Sequence, residues 1–313
     1  MAVDAATQQY LDTMAEKQPV PTHELTPEQA RANEAETTAL IAAGPAMARV
    51  EDGELIAQGG HAFRTRTFVP EGEVGAVIAY FGGGGWVMGT LERYDTVARE
   101  IASRSGCAVV VVEYRKAPEH PFPAAVDDSW QALRWISDHV EDIAGSTVPL
   151  LVAGDSAGGN LAAVMAIRAR DAGEPAVAFQ VLVYPLTNAN LETRSYHEQS
   201  NQLMLRRETV AWYWDNYVPN PDKRDHPDVS PLQVPDRRGL PPAIVLLAEH
   251  DVLRNEGDAY ADGLRRAGVA VELRTFAGQM HGFFPLVGVL PGSTEALDWI
   301  AEEVRSALDE LRS

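Results

Sequence analysis

Five consecutive residues, Gly154-Asp155-Ser156-Ala157-Gly158, carry the strongest chemical signal in the chain. They fit G-x-S-x-G, in which a serine sits on a sharp turn between a strand and a helix. The pattern is short, so its context decides its meaning. An apolar stretch, Pro149 to Ala153, leads in, and an alanine-rich stretch from Ala157 leads out. The flanking glycines let the chain turn without a Cβ clash. Ser156 then stands at a helix N-terminus, where backbone N–H groups and the helix dipole favour negative charge. An incidental serine in a tight glycine turn would explain the glycines but not the strand and helix around them.

A serine hydroxyl is a weak nucleophile and needs a base, which in turn needs an orienting carboxylate. Behind such an elbow the acid and then the histidine follow the serine along the chain. Of the eight histidines, His23, His61, His120, His139 and His197 precede the elbow or lie well away from strand ends. His226 lies in a proline-rich segment, and His250 reads as structural. His281, in Gly278-Gln279-Met280-His281-Gly282-Phe283, falls between the last predicted strand and the final helix, which is the place for the base. For the acid, Ala243 to Ala248 runs into Glu249-His250-Asp251. Asp251 opens the loop after the strand. Glu249 is the rival, within or flanking that strand.

Acyl transfer also needs donors aimed at the oxyanion of a tetrahedral intermediate. Phe81-Gly82-Gly83-Gly84-Gly85-Trp86 follows an apolar strand, and its glycines leave backbone N–H groups open to close approach. The N–H of Ala157 would be a further donor.

These residues need a scaffold, and the chain alternates the right elements. Strands are predicted near Phe63 to Val69, Val74 to Phe81, Ala108 to Tyr114, Leu150 to Ala153, Val177 to Tyr184, Ala243 to Ala248 and Val269 to Phe276. Helices are predicted over Tyr94 to Ser105, Ala124 to Val140, Ala157 to Ala172, Asn255 to Ala267 and Ser293 to Leu311. Continuous apolar strands alternating with helices predict a parallel sheet covered on both faces. The opening strands are more alternating, which suits an antiparallel edge. Residues 1–47 are polar and helix-like, with Thr26-Pro27-Glu28-Gln29 as a helix start. They hold too few large apolar residues to fold alone. Residues 185–240 break the rhythm with Trp212, Tyr213, Trp214 and Tyr217 and then a run of prolines. Such an insertion suits a lid; its aromatics form mostly its own small core, with one or two facing a pocket. The expected layout is 1–47 as N-terminal cap helices, 48–184 and 241–313 as the two parts of a catalytic α/β domain, and 185–240 as a cap insertion.

Composition narrows the function classes. The chain has 313 residues, 45% hydrophobic, with a formal net charge of −19. That surface repels phosphate backbones and anionic membranes, so neither nucleic acid nor membrane is an expected partner. The single cysteine, Cys107, lies in an apolar run and reads as a buried thiol. Neither a secretory signal nor a membrane-length apolar run is visible, and the expected location is cytoplasmic. With no HExxH and no cysteine–histidine cluster, no metal and no cofactor are expected.

Tyr80-Phe81-Gly82-Gly83-Gly84-Gly85-Trp86-Val87-Met88-Gly89, Tyr114 to Ala125, Gly154 to Asn160, Asp251-Val252-Leu253-Arg254 and Met280-His281-Gly282-Phe283 occur in that order. Together these blocks resemble the bacterial hormone-sensitive-lipase-like esterases, from about Phe63 to Phe284. The resemblance implies an α/β-hydrolase fold: a mostly parallel sheet of about eight strands flanked by helices, with a helical cap. It implies hydrolysis of carboxylic esters with short or medium acyl chains, small-molecule ester substrates, and frequent homodimers paired through a sheet edge. It places the triad on Ser156, Asp251 and His281, and the oxyanion donors on Gly83, Gly84 and Ala157. Trp86 and Trp212 are the expected pocket aromatics. One departure stands out: Gly82 occupies the place of a histidine that braces the oxyanion loop in that family. Its loss predicts a more flexible loop, and the bare glycines suggest room for esters of bulky tertiary alcohols.

Rival readings share the fold. An amidase or lactonase would use the same triad. A dehalogenase or epoxide hydrolase would need a carboxylate where Ser156 stands. A non-catalytic small-molecule binding protein, like the gibberellin receptors that resemble this family, would lack a triad member; all three positions are filled here.

Overall fold

A computed structural model describes every residue except Met1, Gln18, Leu40, Gln58 and Ser313; the expected 1–47 segment is therefore described without its residues 1, 18 and 40. The described residues form eight strands: β1 (Arg49–Ile56), β2 (Ala62–Val69), β3 (Val77–Phe81), β4 (Ala108–Glu113), β5 (Leu150–Asp155), β6 (Val177–Val183), β7 (Ala243–His250) and β8 (Val271–Met280). They form one sheet in the order β1-β2-β4-β3-β5-β6-β7-β8. Pairing is parallel from β4 through β3 to β8, and antiparallel for β1 with β2 and β2 with β4.

The valine run of β4 shows why the central strands are apolar at every position. Val110 and Val112 enter one core, and Val109 and Val111 enter the other. Successive side chains point to opposite faces, and here both faces are covered. On the first face pack helices α4 (Ala124–Asp138), α5 (Val140–Ala144), α6 (Ala157–Ala172) and α9 (Arg254–Arg266), through residues such as Leu133, Ile143, Leu161 and Leu264. On the second pack α3 (Leu91–Ser105) and α10 (Pro291–Arg312), through Val97, Ile101, Leu297 and Ile300. Cys107 is fully buried in the second core, where burial pushes its thiol up and keeps it unreactive.

Strand β1 is the element that periodicity does not predict. Its sequence, Arg49-Val50-Glu51-Asp52-Gly53-Glu54-Leu55-Ile56, buries only Leu55. An edge strand with two wet faces has no alternation to read. It is held by its ladder with β2 and by Arg66, whose Nη2 donates to Asp52 Oδ2 at 2.9 Å. Its charges also protect a sheet edge from pairing with other chains.

Two segments lie outside this sandwich. The first carries α1 (Ala5–Glu16) and α2 (Pro27–Thr38). Helix α2 opens with a reciprocal cap, in which Thr26 Oγ1 accepts from Gln29 N (3.3 Å) and Gln29 Oε1 accepts from Thr26 N (2.9 Å). The segment is docked by polar contacts as much as by apolar ones. Asp4 N donates to Gly278 O (3.1 Å), and Arg31 donates to Glu119 and to the carbonyls of Val87 and Ala117, each at 2.8 Å. The second segment lies between β6 and β7 and carries α7 (Arg194–His197) and α8 (Arg207–Tyr217). The two meet where His23 Nδ1 lies 3.2 Å from Thr209 Oγ1. Among the described residues, no helix is long and apolar enough to cross a membrane.

Candidate active site

Three strand ends converge on one point. Strand β5 delivers Ser156 at φ 55°, ψ −120°, a conformation that an L-residue holds only when its surroundings impose it. The glycines of the elbow have a steric cause. A Cβ on Gly158 would stand 1.9 Å from Phe81 O, and one on Gly154 would stand 2.3 Å from Gly158 O. Helix α6 can therefore start flush against β3 and β5 only with bare backbone at both positions.

The loop after β7 supplies Asp251, which is fully buried, and the loop after β8 supplies His281. His281 Nδ1 lies 2.7 Å from Asp251 Oδ2, and His281 Nε2 lies 3.0 Å from Ser156 Oγ. The second Asp251 oxygen accepts from Leu253 N at 2.9 Å, which fixes the carboxylate. Tyr184, at the end of β6, packs on the imidazole with 4.4 Å between ring centroids. Glu249 does not compete for the histidine: it lies inside β7, and its Oε2 accepts from Gly278 N at 2.8 Å. His250 is buried beside it, and His226 lies on the surface of the insertion.

The glycine loop differs from expectation at several points. The N–H of Gly83 donates to Asp155 Oδ1 at 3.1 Å, so it is committed to the elbow and is not a free oxyanion donor. Among the described residues, the next two N–H groups, of Gly84 and Gly85, have no protein acceptor, and their residues border the cavity that holds Ser156. Ala157 is the first residue of α6, where no side chain caps the helix, and among the described residues its N–H has no acceptor. The loop is also not an open one. A Cβ at Gly82 would meet the Tyr94 ring at 2.3 Å, and one at Gly85 would meet the Tyr213 ring at 2.0 Å. The space beside Gly82 and Gly85 is filled by neighbouring aromatics, so the room expected beside the bare glycines is absent there.

Asp155 is the buried group that composition and motif did not single out. It receives Tyr80 Oη–H at 2.8 Å, Gly83 N–H at 3.1 Å and Tyr94 Oη–H at 3.2 Å. Burial holds its carboxyl above the ordinary carboxylate range, and these three hydrogen bonds offset only part of that rise. The only sequence signal was its place inside the G-x-S-x-G pentapeptide.

The cavity that holds Ser156 and His281 measures about 230 Å³. Its walls come from the sheet ends and from both outlying segments, which contribute Tyr10, Thr22 and Glu34 on one side and Thr209 and Tyr213 on the other. Trp86 and Trp212 do not line it. Trp86 is fully buried, stacked on Tyr217 and tilted against Trp214, because it anchors the loop to α8. Trp212 packs beside Tyr213, with 5.3 Å between their ring centroids, and it is Tyr213 that reaches the cavity. A larger space of about 790 Å³ lies between α2 and the 113–120 segment, and it does not reach Ser156.

Residues 78–285 match the family described by the alpha/beta hydrolase fold. Carboxylesterase NlhH of Mycobacterium tuberculosis is 44% identical over 223 residues, 70% of this chain and 70% of that protein. Ethyl acetate hydrolase of Pseudomonas putida is 34% identical over 296 residues, 92% of this chain and 93% of that protein. Among solved structures, a thermostable esterase from Pseudomonas putida superposes with a TM-score of 0.91 at 33% identity, covering 98% of both chains. With the serine elbow, the eight-stranded sheet and these relatives together, the chain belongs to the α/β-hydrolase fold family, in its hormone-sensitive-lipase-like group of serine carboxylester hydrolases.

Proposed function

We propose that the protein hydrolyses short-chain carboxylic esters through an acyl-enzyme formed on Ser156. The observation that carries this reading is the unbroken line from Ser156 Oγ through His281 to the buried Asp251, with links of 3.0 Å and 2.7 Å. His281 takes the Ser156 proton as Oγ attacks the ester carbonyl. Asp251 holds the ring tautomer and stabilises the imidazolium. The N–H groups of Gly84, Gly85 and Ala157 receive the oxyanion. His281 then protonates the departing alcohol. In the second half it takes a proton from water, hydroxide attacks the acyl carbon, and the acid leaves as Ser156 regains its proton.

We read residues 1–47 and 185–240 as a cap over this site, because both line the cavity with Ser156. The cavity supports the short end of the expected acyl range. At about 230 Å³, it is smaller than the roughly 300–1,000 Å³ of sites for larger ligands. Tyr94 and Tyr213 fill the space beside Gly82 and Gly85, which argues against tolerance of bulky tertiary alcohols. We expect tert-butyl acetate to be hydrolysed no faster than in buffer. A homodimer would pair through the free edge of β8, and light scattering on the purified protein measures it.

The test is hydrolysis of p-nitrophenyl esters from acetate to palmitate by the native protein and by Ser156→Ala. We expect turnover of acetate and butyrate, a fall with longer chains, and no turnover by the variant. Amide and lactone substrates run as controls. Native activity in Ser156→Ala, or no activity of the native protein on any ester, overturns the reading.

A further inference from the structure

We propose that Tyr94 is the positioning residue of the oxyanion loop: its ring fills the space beside Gly82, and its hydroxyl holds the Asp155 carboxylate that in turn holds the loop. The inference rests on the esterase reading above. It starts from a chain of contacts. Tyr94 Oη donates to Asp155 Oδ2 at 3.2 Å, and Asp155 Oδ1 accepts Gly83 N–H at 3.1 Å. Gly83 is followed directly by the two residues whose N–H groups border the cavity. Asp155 also precedes Ser156 in the chain. One carboxylate therefore ties the loop that would receive the oxyanion to the residue that carries the nucleophile. A shift of either end changes the distance between them.

The ring contributes separately from the hydroxyl. It is 5% exposed and lies where a side chain at position 82 would go: a Cβ there would stand 2.3, 2.5 and 2.8 Å from three of its atoms. It also lies 3.4 Å from the Cβ position of Gly89, on the far side of the loop. On the other flank, Tyr114 Oη donates to Gly82 O at 2.7 Å. Tyr80 gives Asp155 its second phenol at 2.8 Å. A buried carboxylate without a cation on it is costly unless its oxygens are all engaged. Here the three donors come from β3, the glycine loop and α3, so the carboxylate is satisfied only when all three are in register. Catalysis needs the oxyanion donors within a few tenths of an ångström before the reaction begins.

A tyrosine that served only as core packing would matter for stability and not for turnover. Tyr94→Phe separates the two, because it keeps the ring and removes the tether. We expect kcat on p-nitrophenyl acetate to fall about tenfold with KM unchanged, since a misplaced donor weakens the transition state alone. The affinity for a short alkyl trifluoromethyl ketone, whose oxygen becomes the anion when Ser156 Oγ adds to its carbonyl, falls by the same factor. The ring is tested by Gly82→Ala, made in the native protein and in Tyr94→Ala. The alanine lowers kcat at least about a hundredfold beside the native ring and lowers it no further when the ring is absent. Tyr94→Phe with native kcat and native inhibitor affinity overturns the tether, and an equal loss from Gly82→Ala in both backgrounds overturns the role of the ring. A Ser156→Ala variant as active as the native protein would instead overturn the triad reading, and this proposal with it.

Discussion

Trp86 lies flat on Tyr217, with 4.2 Å between ring centroids and 10° between the planes. The first residue ends the glycine loop, and the second ends α8 in the 185–240 segment. Both are fully buried, and Trp86 holds φ 60° to make the contact. The insertion is thus stapled to the loop that borders the cavity at Ser156. Tyr217→Ala is expected to destabilise the protein by about 3–5 kcal/mol and to lower kcat with it. Among the described residues the buried Tyr217 hydroxyl has no partner, so Tyr217→Phe should be neutral or slightly stabilising. Urea unfolding of the two variants separates the stack from the hydroxyl.

The Asp251 carboxylate is expected to act by fixing His281 and not by taking its proton. Asp251→Asn keeps the shape but offers an N–H where an acceptor is needed, which favours the wrong ring tautomer. We expect kcat on p-nitrophenyl acetate to fall about 10³–10⁴-fold with little change in KM. A loss below about tenfold would move the acid role elsewhere in the site.

Glu256, on α9, makes a pH prediction about stability. It is fully buried and accepts from Thr187 N (2.7 Å), Asn188 N (3.3 Å) and Tyr196 Oη (3.1 Å). Burial nonetheless pushes its carboxyl up to about 8, from an ordinary 4.5. The folded protein therefore binds this proton more tightly than the unfolded chain. Its contribution to stability is complete below the ordinary carboxyl range and is lost as the pH rises to about 8. Glu256→Gln, which cannot ionise, should remove that slope, worth at most about 1.4 kcal/mol per pH unit. Unfolding free energies of both proteins between about pH 5 and about pH 9 provide the comparison, and parallel curves would refute it.

Gly158→Ala tests the close approach at the elbow. Its methyl group would stand 1.9 Å from Phe81 O, a backbone atom of a central strand that cannot move aside. We expect a loss of about 3 kcal/mol or more, read from the urea midpoint, together with loss of esterase activity. A variant of native stability would mean that α6 can slide, and that the glycine is there for another reason.

Where apolar periodicity and chemistry agreed, the sequence was easily read. Strands β3 to β7 are buried on both faces, so each appears as an apolar run with turns on either side. The elbow was legible because the strand, the pentapeptide and the helix are contiguous. His281 and Asp251 were legible because chain order and position after a strand restrict the choice to few residues. Strand β1 was not legible, because a solvated edge strand buries one side chain and draws its stability from a ladder with a distant partner. The pocket aromatics were misread for a related reason. Trp86 and Tyr213 have similar chemistry, and only packing decides that the first is sealed against Tyr217 while the second reaches the cavity.

By itself, the sequence determined that a serine would sit between a buried strand and a helix, with an acid and a histidine waiting at later strand ends. These are local patterns, and local patterns survive in one dimension. Tertiary structure alone decided which N–H groups are free. Gly83, Gly84 and Gly85 are identical residues in a row, yet the first faces Asp155 and the next two border the cavity. It also decided that Gly82 leaves no gap, because the Tyr94 ring folds back from α3 to fill it. The cause is the same in both cases. The environment of a glycine is made entirely by what the rest of the chain brings beside it, and its own side chain carries no record of that.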